Sequence, residues 1–281
     1  MKNKELALIA NNARQECIKT LFLSKSGHTA GPLGMADVFT VLYYDHLRVD
    51  PMNPEWEGRD YVFLSNGHIC VIWYVTLANR GFFEKTHLWS FRKVNSLLQG
   101  HPHSGPIPGV ENSGGPLAQG LSQAVGAALA LKRDGKRNRV YCCCSDGEHQ
   151  EGQAWEAAMF AGNNKLDNLT FIMDRNFIQI DGFTEDVMPL EPLAAKFQAF
   201  NWHVITIDGH NLKQIKKALK KAEKIKGKPT IILAKTIPGK GVKEMENQPK
   251  WHGMPPNEEQ ASRALQELTS ERQQLEKRRW V

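Results

Sequence analysis

Short runs of consecutive apolar residues alternate along this chain with longer segments in which apolar positions recur every three or four residues. The short runs predict buried strands, because a strand covered on both faces is apolar throughout. The longer segments predict helices with one buried stripe. This alternation is typical of an α/β fold, a mostly parallel sheet with helices on both faces. The predicted strands are Tyr61–Leu64, 139–144, 169–173, 203–207 and 230–234.

The predicted helices connect these strands and also occupy both ends of the chain. They cover 4–24, 33–47, 68–80, 117–133, 153–163 and 212–225. No internal repeat or low-complexity linker interrupts the pattern, so we expect a single domain over 1–281. Its last part, 257–281, is predicted to be a polar helical tail that has few apolar residues to bury, namely Leu265, Leu268 and Leu275.

The chain carries a mild positive charge, since 36 Lys and Arg residues outnumber 30 Asp and Glu residues by six. Much of the excess lies in 213–228 and in 277–279. No aromatic residues are interleaved with the first of these runs. We therefore interpret both as solvated surface and expect no nucleic-acid partner.

Three further features bear on the cellular location. The amino-terminal segment is charged and lacks the apolar core of a signal peptide. No apolar stretch approaches the ~18 residues that span a bilayer. Five cysteines are present, and the adjacent Cys142–Cys144 would alternate between the two faces of a strand, which favours buried reduced thiols over a metal site. We expect a cytoplasmic protein that does not associate with membranes.

Oxygen-bearing side chains follow two of the predicted strands. Asp146-Gly147 closes the second strand, and Asn176 closes the third, thirty positions later. Parallel strands present their carboxyl ends at one edge of the sheet, where open α/β sheets bind ligands. Carboxylate and amide oxygens suit Mg²⁺ or Ca²⁺ held together with phosphate oxygens. Gly147 allows the backbone to approach a diphosphate, and the helix start that follows offers free N–H groups to it.

This segment resembles the thiamine diphosphate signature of transketolases, in which Gly-Asp-Gly is followed by a spacer and an asparagine. Here Ser145 replaces the first glycine, and 27 residues, 148–174, separate Gly147 from Arg175-Asn176. The resemblance implies that Asp146 and Asn176 bind the metal ion through side-chain oxygens, and Ile178 through its backbone carbonyl. Over 6–255 the chain is similar to the amino-terminal part of a transketolase.

Four histidines in separate loops extend the resemblance. They are His28 in Ser-Gly-His-Thr, His68 in Ser-Asn-Gly-His, His101 in Gly-His-Pro and His252 in Trp-His-Gly. In transketolases the matching residues line the substrate channel and the diphosphate end of the cofactor, which implies catalytic roles for all four and cofactor contacts for His68 and His252. Cleavage of a ketose requires a hydroxyl proton to leave and return, and a neutral imidazole can accept and return it.

Two further elements follow from the resemblance. Gly115 and Leu117, in Gly-Gly-Pro-Leu, match residues that contact the aminopyrimidine of the cofactor. Glu151 matches a residue at the interface between cofactor-binding domains and is assigned to the cofactor site. The alternative for Glu151 is a solvated residue in the first turn of a helix, favoured there by the helix dipole.

A complete transketolase continues into a pyrimidine-binding domain that supplies the activating glutamate. The resemblance therefore implies a split enzyme that transfers a two-carbon ketol unit, with a partner subunit that completes the site, most simply as α2β2. Sugar phosphates are the default substrates, and a sulfonated or branched sugar is an alternative. Three competing identities stay open: the α subunit of a 2-oxo acid dehydrogenase, a deoxyxylulose-phosphate synthase, and a non-enzymatic thiamine diphosphate binder.

Overall fold

The computed structural model describes residues 1–278 and 280, and it is built around a five-stranded parallel sheet. The seven strands are β1 (Tyr61–Leu64), β2 (Val140–Ser145), β3 (Leu169–Arg175), β4 (Ile178–Gln179), β5 (Gly182–Phe183), β6 (His203–Asp208) and β7 (Thr230–Lys235). The large sheet has the order β1-β2-β3-β7-β6, and every neighbouring pair is parallel. The prediction of an α/β fold with a mostly parallel sheet is therefore confirmed.

Nine α-helices surround the sheet within the described residues. They are α1 (Asn3–Ser24), α2 (Ala30–Val41), α3 (Cys70–Arg80), α4 (Gln119–Arg133), α5 (Gly152–Asn163), α6 (Thr184–Val187), α7 (Leu193–Ala199), α8 (Leu212–Lys224) and α9 (Glu258–Lys277). A π-helical turn, Leu42–His46, continues α2, and short 3₁₀ turns cover Gly67–Ile69, Lys85–Ser90, Gly147–Gln150 and Pro249–Trp251. None of the helices in 1–278 has both the length and the apolar character that crossing a membrane requires.

The strands extend one or two residues beyond their predicted ends, into polar positions. Ser145 pairs with Asp174, and Arg175 pairs with Lys235. The ladder joins backbone groups, so it continues wherever the neighbouring strand continues, whatever the side chain. Apolar content alone therefore underestimates the length of β3, β6 and β7, and it places β2 one residue too early.

Two helix boundaries also differ from prediction. α2 begins at Ala30 instead of 33, because Pro32 lies in the first turn, where a helix needs no N–H donor. α4 begins at Gln119 instead of 117, because Ala118 has a left-handed backbone (φ 65°) and precedes the helix. The β4–β5 hairpin, α6 and α7 were not predicted, because each is too short to show a period.

Apolar side chains fill two separate cores, one on each face of the sheet. One core lies under α1, α2, α3, α8 and α9, and the other lies under α4, α5 and α7. Cys143 belongs to the first core, whereas Cys142 and Cys144 belong to the second. The cysteine triplet therefore alternates between the faces of β2, and all five cysteines are free thiols.

The segment after residue 256 forms α9, which lies against α1. Asn257 caps the helix: its side chain accepts a hydrogen bond from Gln260 N at 2.9 Å, and Gln260 Oε1 accepts one from Asn257 N at 3.0 Å. Leu268 is fully buried, and its carbonyl accepts a bond from Asn11 Nδ2 at 2.9 Å. The last positions of the predicted tail, Arg279 and Val281, lie outside the described residues.

The contact between α9 and α1 predicts a specific loss of stability. We expect Leu268→Ala to lower the free energy of unfolding by about 2–5 kcal/mol, because it leaves a cavity between the two helices. Gln273→Ala, an exposed change on the same helix, should alter stability by less than about 0.5 kcal/mol. Urea unfolding followed by circular dichroism measures both values. Equal stability of the two variants would show that α9 contributes little to the fold.

Candidate active site

A cavity of about 370 Å³ opens at the carboxyl edge of the parallel sheet. Its walls come from the segments that follow β1, β2 and β3 and from three loops that cover this edge. Nine of the residues assigned from the sequence line it, namely His28, His68, His101, Gly115, Leu117, Gly147, Glu151, Ile178 and His252. The fold therefore brings together segments that are more than 200 residues apart in the chain.

Three of the histidines form a compact cluster in this cavity. The ring centroids of His28 and His68 are 5.0 Å apart, those of His68 and His252 are 5.1 Å apart, and those of His28 and His252 are 5.7 Å apart. His101 lies beside the Gly115 backbone, where a Cβ added to the glycine would be 3.9 Å from the imidazole Cγ. Four imidazoles around one cavity can exchange protons with a single small substrate.

All four imidazoles are held in the neutral form. Burial lowers the pKa of His28 to about 4, with further lowering by His252, Arg92 and His101. Burial also lowers the pKa of His252 to about 4 and takes that of His68 well below its usual value. The pKa of His101 is lowered by burial and then by Arg92. A neutral imidazole has a free lone pair, so each of these groups can accept a proton at neutral pH.

The turn after β2 is held by Glu148, a fully buried carboxylate that the sequence did not single out. It accepts hydrogen bonds from the Ser65 hydroxyl, from Ser145 N at 2.8 Å and from Ala118 N at 2.8 Å. Burial raises its pKa to about 7. Glu148 thus joins the ends of β1 and β2 to the start of α4. In the sequence it resembles any acidic residue of a first helical turn, so no signal marks this role.

Gly115 and Leu117 form another part of the cavity wall. Gly115 has φ 148°, a conformation that side chains rarely adopt. Leu117 is 38% exposed and contributes apolar surface to the cavity. This wall therefore offers an accessible backbone and an apolar side chain to a ligand.

Asp146 and Asn176 are neighbours at the sheet edge, but their buried side chains do not line the cavity. Asp146 accepts a bond from Phe177 N at 2.8 Å, and Asn176 Oδ1 accepts one from Ile178 N at 3.0 Å. The two side chains are thus tied to the same short segment after β3. Asp174, whose pKa burial raises to about 7, accepts a bond from Asn176 Nδ2 at 2.7 Å and fixes the orientation of the amide.

The carboxylate of Asp146 has a cationic partner that the sequence did not predict. Arg175 Nη1 lies 2.9 Å from Asp146 Oδ2, and its Nη2 contacts Glu185 and Glu191. Within the described residues, the other oxygen of this carboxylate, Asp146 Oδ1, accepts a single hydrogen bond, from Gly147 N at 2.8 Å. Burial raises the pKa of Asp146, and the charge of Arg175 opposes that rise.

Metal-binding clusters of three or more His, Cys, Asp or Glu side chains do not occur in the described part of the chain. The donor set predicted from the sequence contains one such side chain, Asp146, together with an amide and a carbonyl. A site of this kind needs further oxygen ligands from a bound phosphate or from water.

Asn66 is a second residue that the sequence analysis overlooked. It is fully buried after β1, and within the described residues neither of its side-chain polar atoms has a hydrogen-bond partner. Buried amides are nearly always hydrogen-bonded, so this amide, two residues before His68, has a donor and an acceptor that a ligand or a water molecule can pair with. Its place between Ser65 and His68 in a motif already assigned to the site was the available signal.

Glu151 lies at the rim of the cavity and is exposed. It precedes the first residue of α5 with an extended backbone and makes no side-chain cap to that helix. Its carboxylate is therefore available for contact with a ligand or with a neighbouring chain.

A second, larger cavity of about 510 Å³ lies at the carboxyl end of β6, the last strand of the sheet order, between α1, α8 and α9. Its charged residues pair with each other: Arg14 contacts Asp37, and His210 Nδ1 lies 2.8 Å from the same carboxylate. None of the residues assigned from the sequence lines it. The histidine-lined cavity is therefore the candidate active site.

Comparisons with known proteins identify the family of this chain. The family described as "Transketolase, thiamine diphosphate binding domain" matches residues 6–275. The chain is 40% identical over 262 residues to the 6-deoxy-6-sulfo-D-fructose transketolase subunit SqwG of Clostridium sp. (strain MSTE9), covering 93% of this chain and 95% of that protein. It is 37% identical over 277 residues to one of the subunits of the apulose-4-phosphate transketolase of Phocaeicola vulgatus, covering 99% and 98%.

Longer relatives match over part of their length. Transketolase 2 of Escherichia coli (strain K12) is 36% identical over 280 residues, which cover 95% of this chain and 41% of that protein. The crystal structure of transketolase from Campylobacter jejuni superposes with a TM-score of 0.91 at 37% identity and covers 96% of this chain and 43% of that one. The resemblance drawn from the sequence is confirmed, and the matches favour it over the competing identities.

The neutral histidines predict a pH dependence of stability. The folded chain keeps His28 and His252 unprotonated down to about pH 4, whereas the unfolded chain binds protons below about pH 6.5. Their stabilising contribution is complete above pH 6.5 and is lost as the pH falls towards 4, by about 2 kcal/mol per histidine between pH 7 and 5. We expect His252→Gln to lose correspondingly less stability over that interval, measured by urea unfolding.

The exposed His103 provides the control for this measurement. His103→Gln should retain the pH dependence of the unsubstituted chain. If His252→Gln and His103→Gln showed the same slope, His252 would not be held neutral by the fold.

Proposed function

The chain belongs to the transketolase family, and we propose that it is the amino-terminal subunit of a two-subunit, thiamine diphosphate-dependent transketolase. In this proposal it transfers a two-carbon ketol unit from a ketose to an aldose. The observation that carries the proposal is the convergence of His28, His68, His101 and His252 on a cavity next to the Asp146-Gly147 turn. Two relatives of nearly equal length are named as transketolase subunits, which supports the split organisation.

We propose that thiamine diphosphate occupies the cavity with its diphosphate at the Gly147 turn. The chemistry of the residues fits the cofactor there: Gly147 carries no side chain, and a Cβ at this position would lie 3.3 Å from Gln179 Cβ. Gly115 and Leu117 line the same cavity and offer an open backbone and an apolar surface to the aminopyrimidine. The unpaired amide of Asn66 provides a donor and an acceptor near the same ligand.

The proposed metal ion, Mg²⁺ or Ca²⁺, would be held by Asp146, Asn176 and the carbonyl of Ile178. Hard oxygen donors of this kind suit either ion, and diphosphate oxygens would complete the coordination. The hydrogen bonds of Asp146 and Asn176 to the segment after β3 support the proposal, because they fix both side chains before an ion arrives. Arg175 contributes by keeping Asp146 ionised.

Thiamine diphosphate supplies a nucleophilic carbon and an electron sink when bound. The part of this chain in the proposed reaction is proton transfer and orientation. One of the four neutral imidazoles accepts the proton of the hydroxyl on the third carbon of the donor ketose, whose oxygen becomes the carbonyl of the departing aldehyde. A proton is returned to the carbonyl oxygen of the acceptor aldehyde, which becomes the new hydroxyl of the product ketose. The pKa values of His28 and His252, about 4, lie far below neutral pH, so the protonated form of either group is short-lived and passes its proton on.

A partner subunit is expected to close the cavity, in the simplest case as α2β2. The single-chain relatives are more than twice as long as the region they share with this chain. Apolar side chains are exposed around the cavity, and such clusters mark protein contacts. They lie on the β4–β5 hairpin and the segment after it (Ile180, Phe183, Val187 and Met188) and on α5, which begins beside Glu151 (Met159 and Phe160).

The substrate is proposed to be an anionic ketose. One relative is named for a sulfonated fructose and another for apulose 4-phosphate. A sugar phosphate of the pentose phosphate type is the default proposal for this chain. We also propose a cytoplasmic location, in keeping with five buried free thiols.

Substitution of Asp146 tests the metal assignment. We expect Asp146→Ala to abolish Mg²⁺-dependent binding of thiamine diphosphate, since it removes the charged ligand. Asp146→Asn keeps an acceptor for Phe177 N and should weaken binding by at least 10-fold while it preserves the fold. Calorimetric titration of the complex with and without Mg²⁺ measures the affinity. Asp181→Ala, an exposed carboxylate in the same hairpin, serves as the control; retention of Mg²⁺-dependent affinity in Asp146→Ala would refute the assignment.

Activity of the purified chain tests the subunit proposal. We expect less than about 1% of the transfer rate from the chain alone, and recovery when a subunit that carries the pyrimidine-binding part of transketolase is added. Phe160→Glu should weaken this complex. Met52→Glu should leave it unchanged, because Met52 is 90% exposed and does not line the cavity. Full turnover by the chain without any partner would contradict the proposal.

A further inference from the structure

Arg92 connects two of the loops that carry the histidines. It follows the 3₁₀ turn Lys85–Ser90 and adopts a left-handed backbone conformation with φ 61°. Its Nη1 donates to the Ser26 hydroxyl at 3.0 Å, and its Nη2 donates to the Gly100 carbonyl at 2.9 Å. Ser26 lies two residues before His28, and Gly100 lies immediately before His101. One guanidinium therefore joins the segments that place both imidazoles.

The packing around this guanidinium is tight on the Gly100 side and ordinary on the Gly27 side. A Cβ added to Gly100 would lie 2.9 Å from Arg92 Cζ, and a Cβ added to Gly27 would lie 3.7 Å from Arg92 Nε. The Nε atom is buried and has no hydrogen-bond partner among the described residues. A non-glycine residue with φ above zero and a buried, incompletely paired charge is unfavourable for stability. Such a cost is common where function fixes the geometry.

The charge of Arg92 reaches the same two imidazoles. His28 faces His68, His101, His252 and Arg92, so every titratable group around it is neutral or positive. His101 is affected chiefly by Arg92 after burial. From α3, Cys70 and Tyr74 face Arg92, and burial raises the pKa of both, so neither carries a negative charge that would neutralise the guanidinium.

We propose that Arg92 is a positioning residue of the transfer site: its two-pronged guanidinium sets the spacing between the His28 and His101 loops, and its positive charge faces both imidazoles. This inference rests on the proposed function in one respect, the catalytic role of the two histidines. Lysine cannot replace arginine in the first role, because a single ammonium on a flexible stem cannot donate to Ser26 and Gly100 in one fixed geometry. It can replace arginine in the second role, since it retains the charge.

Three variants separate the two roles. Arg92→Met removes the charge and both hydrogen bonds of the guanidinium. Arg92→Lys keeps the charge but loses the paired hydrogen bonds to Ser26 and Gly100. Lys93→Met removes an exposed neighbouring charge and is the control. The titration midpoints of His28 and His101 are measured by NMR of the imidazole C–H groups in the full chain, without cofactor or partner. His28→Gln and His101→Gln assign the signals. The values of kcat/KM are measured for the complete enzyme complex.

We expect Arg92→Met to raise both midpoints and to lower kcat/KM by about 10- to 100-fold, the loss typical of a reacting group displaced by about 1 Å. Arg92→Lys should leave the midpoints close to those of the unsubstituted chain and should lower kcat/KM by a similar factor. Lys93→Met should change neither quantity. If Arg92→Met fails to fold, Ser26→Ala takes its place: it removes the hydrogen bond from Arg92 Nη1 and should lower kcat/KM while it leaves both titration midpoints unchanged.

Two results would overturn the inference. Unchanged midpoints in Arg92→Met would exclude the electrostatic role, and full kcat/KM in Arg92→Lys would exclude the positioning role. Both are distinguishable from failure of the proposed function, in which the unsubstituted complex itself would not transfer a ketol unit while the NMR midpoints still responded to Arg92→Met.

Discussion

The parallel backbone pairing of β2 with β3 is the constraint on which the candidate site depends. It aligns Ser145 with Asp174, so the two turns that follow the strands leave the sheet side by side. Asp146 then accepts a bond from Phe177 N, which joins the two turns directly. Pairing of β1 with β2 places the Ser65–His68 segment at the same edge. A shift of one residue in either ladder would send these side chains to the wrong face.

Burial without a counter-charge gives the cavity its chemical character. The rings of the three clustered histidines lie about 5 Å apart. Their pKa values are lowered by burial and by neighbouring histidines and Arg92, and no carboxylate of the described residues contributes to these shifts. The buried acidic groups at this edge are instead committed to structure: Asp146 pairs with Arg175, and Glu148 accepts bonds from three segments, whereas Glu151 at the rim is exposed. Separation of these two sets leaves neutral imidazoles facing the ligand and carboxylates holding the walls.

Much of the fold follows from periodicity because each strand of the large sheet is covered on both faces. Every predicted strand exists, and the long helices begin and end within a few residues of their predicted limits. The errors occur where periodicity carries no information. The strands β4 and β5 are too short to show an alternating pattern, and the helices α6 and α7 are each shorter than two helical turns. The strand ends were missed because backbone pairing extends past the last apolar residue.

The sequence by itself determined the alternation of strands and helices, the family and the residue types available for chemistry, because these depend on local pattern and on short motifs. Tertiary structure alone decided which of these residues share a cavity and what their charges are. It pairs Arg175 with Asp146, brings three hydrogen-bond donors to Glu148 and places Arg92 between two histidine loops. It also leaves the Asn66 amide without a partner among the described residues. Each of these facts depends on contacts between segments far apart in the chain and on the burial they create, and neither distance nor burial is written in a local pattern.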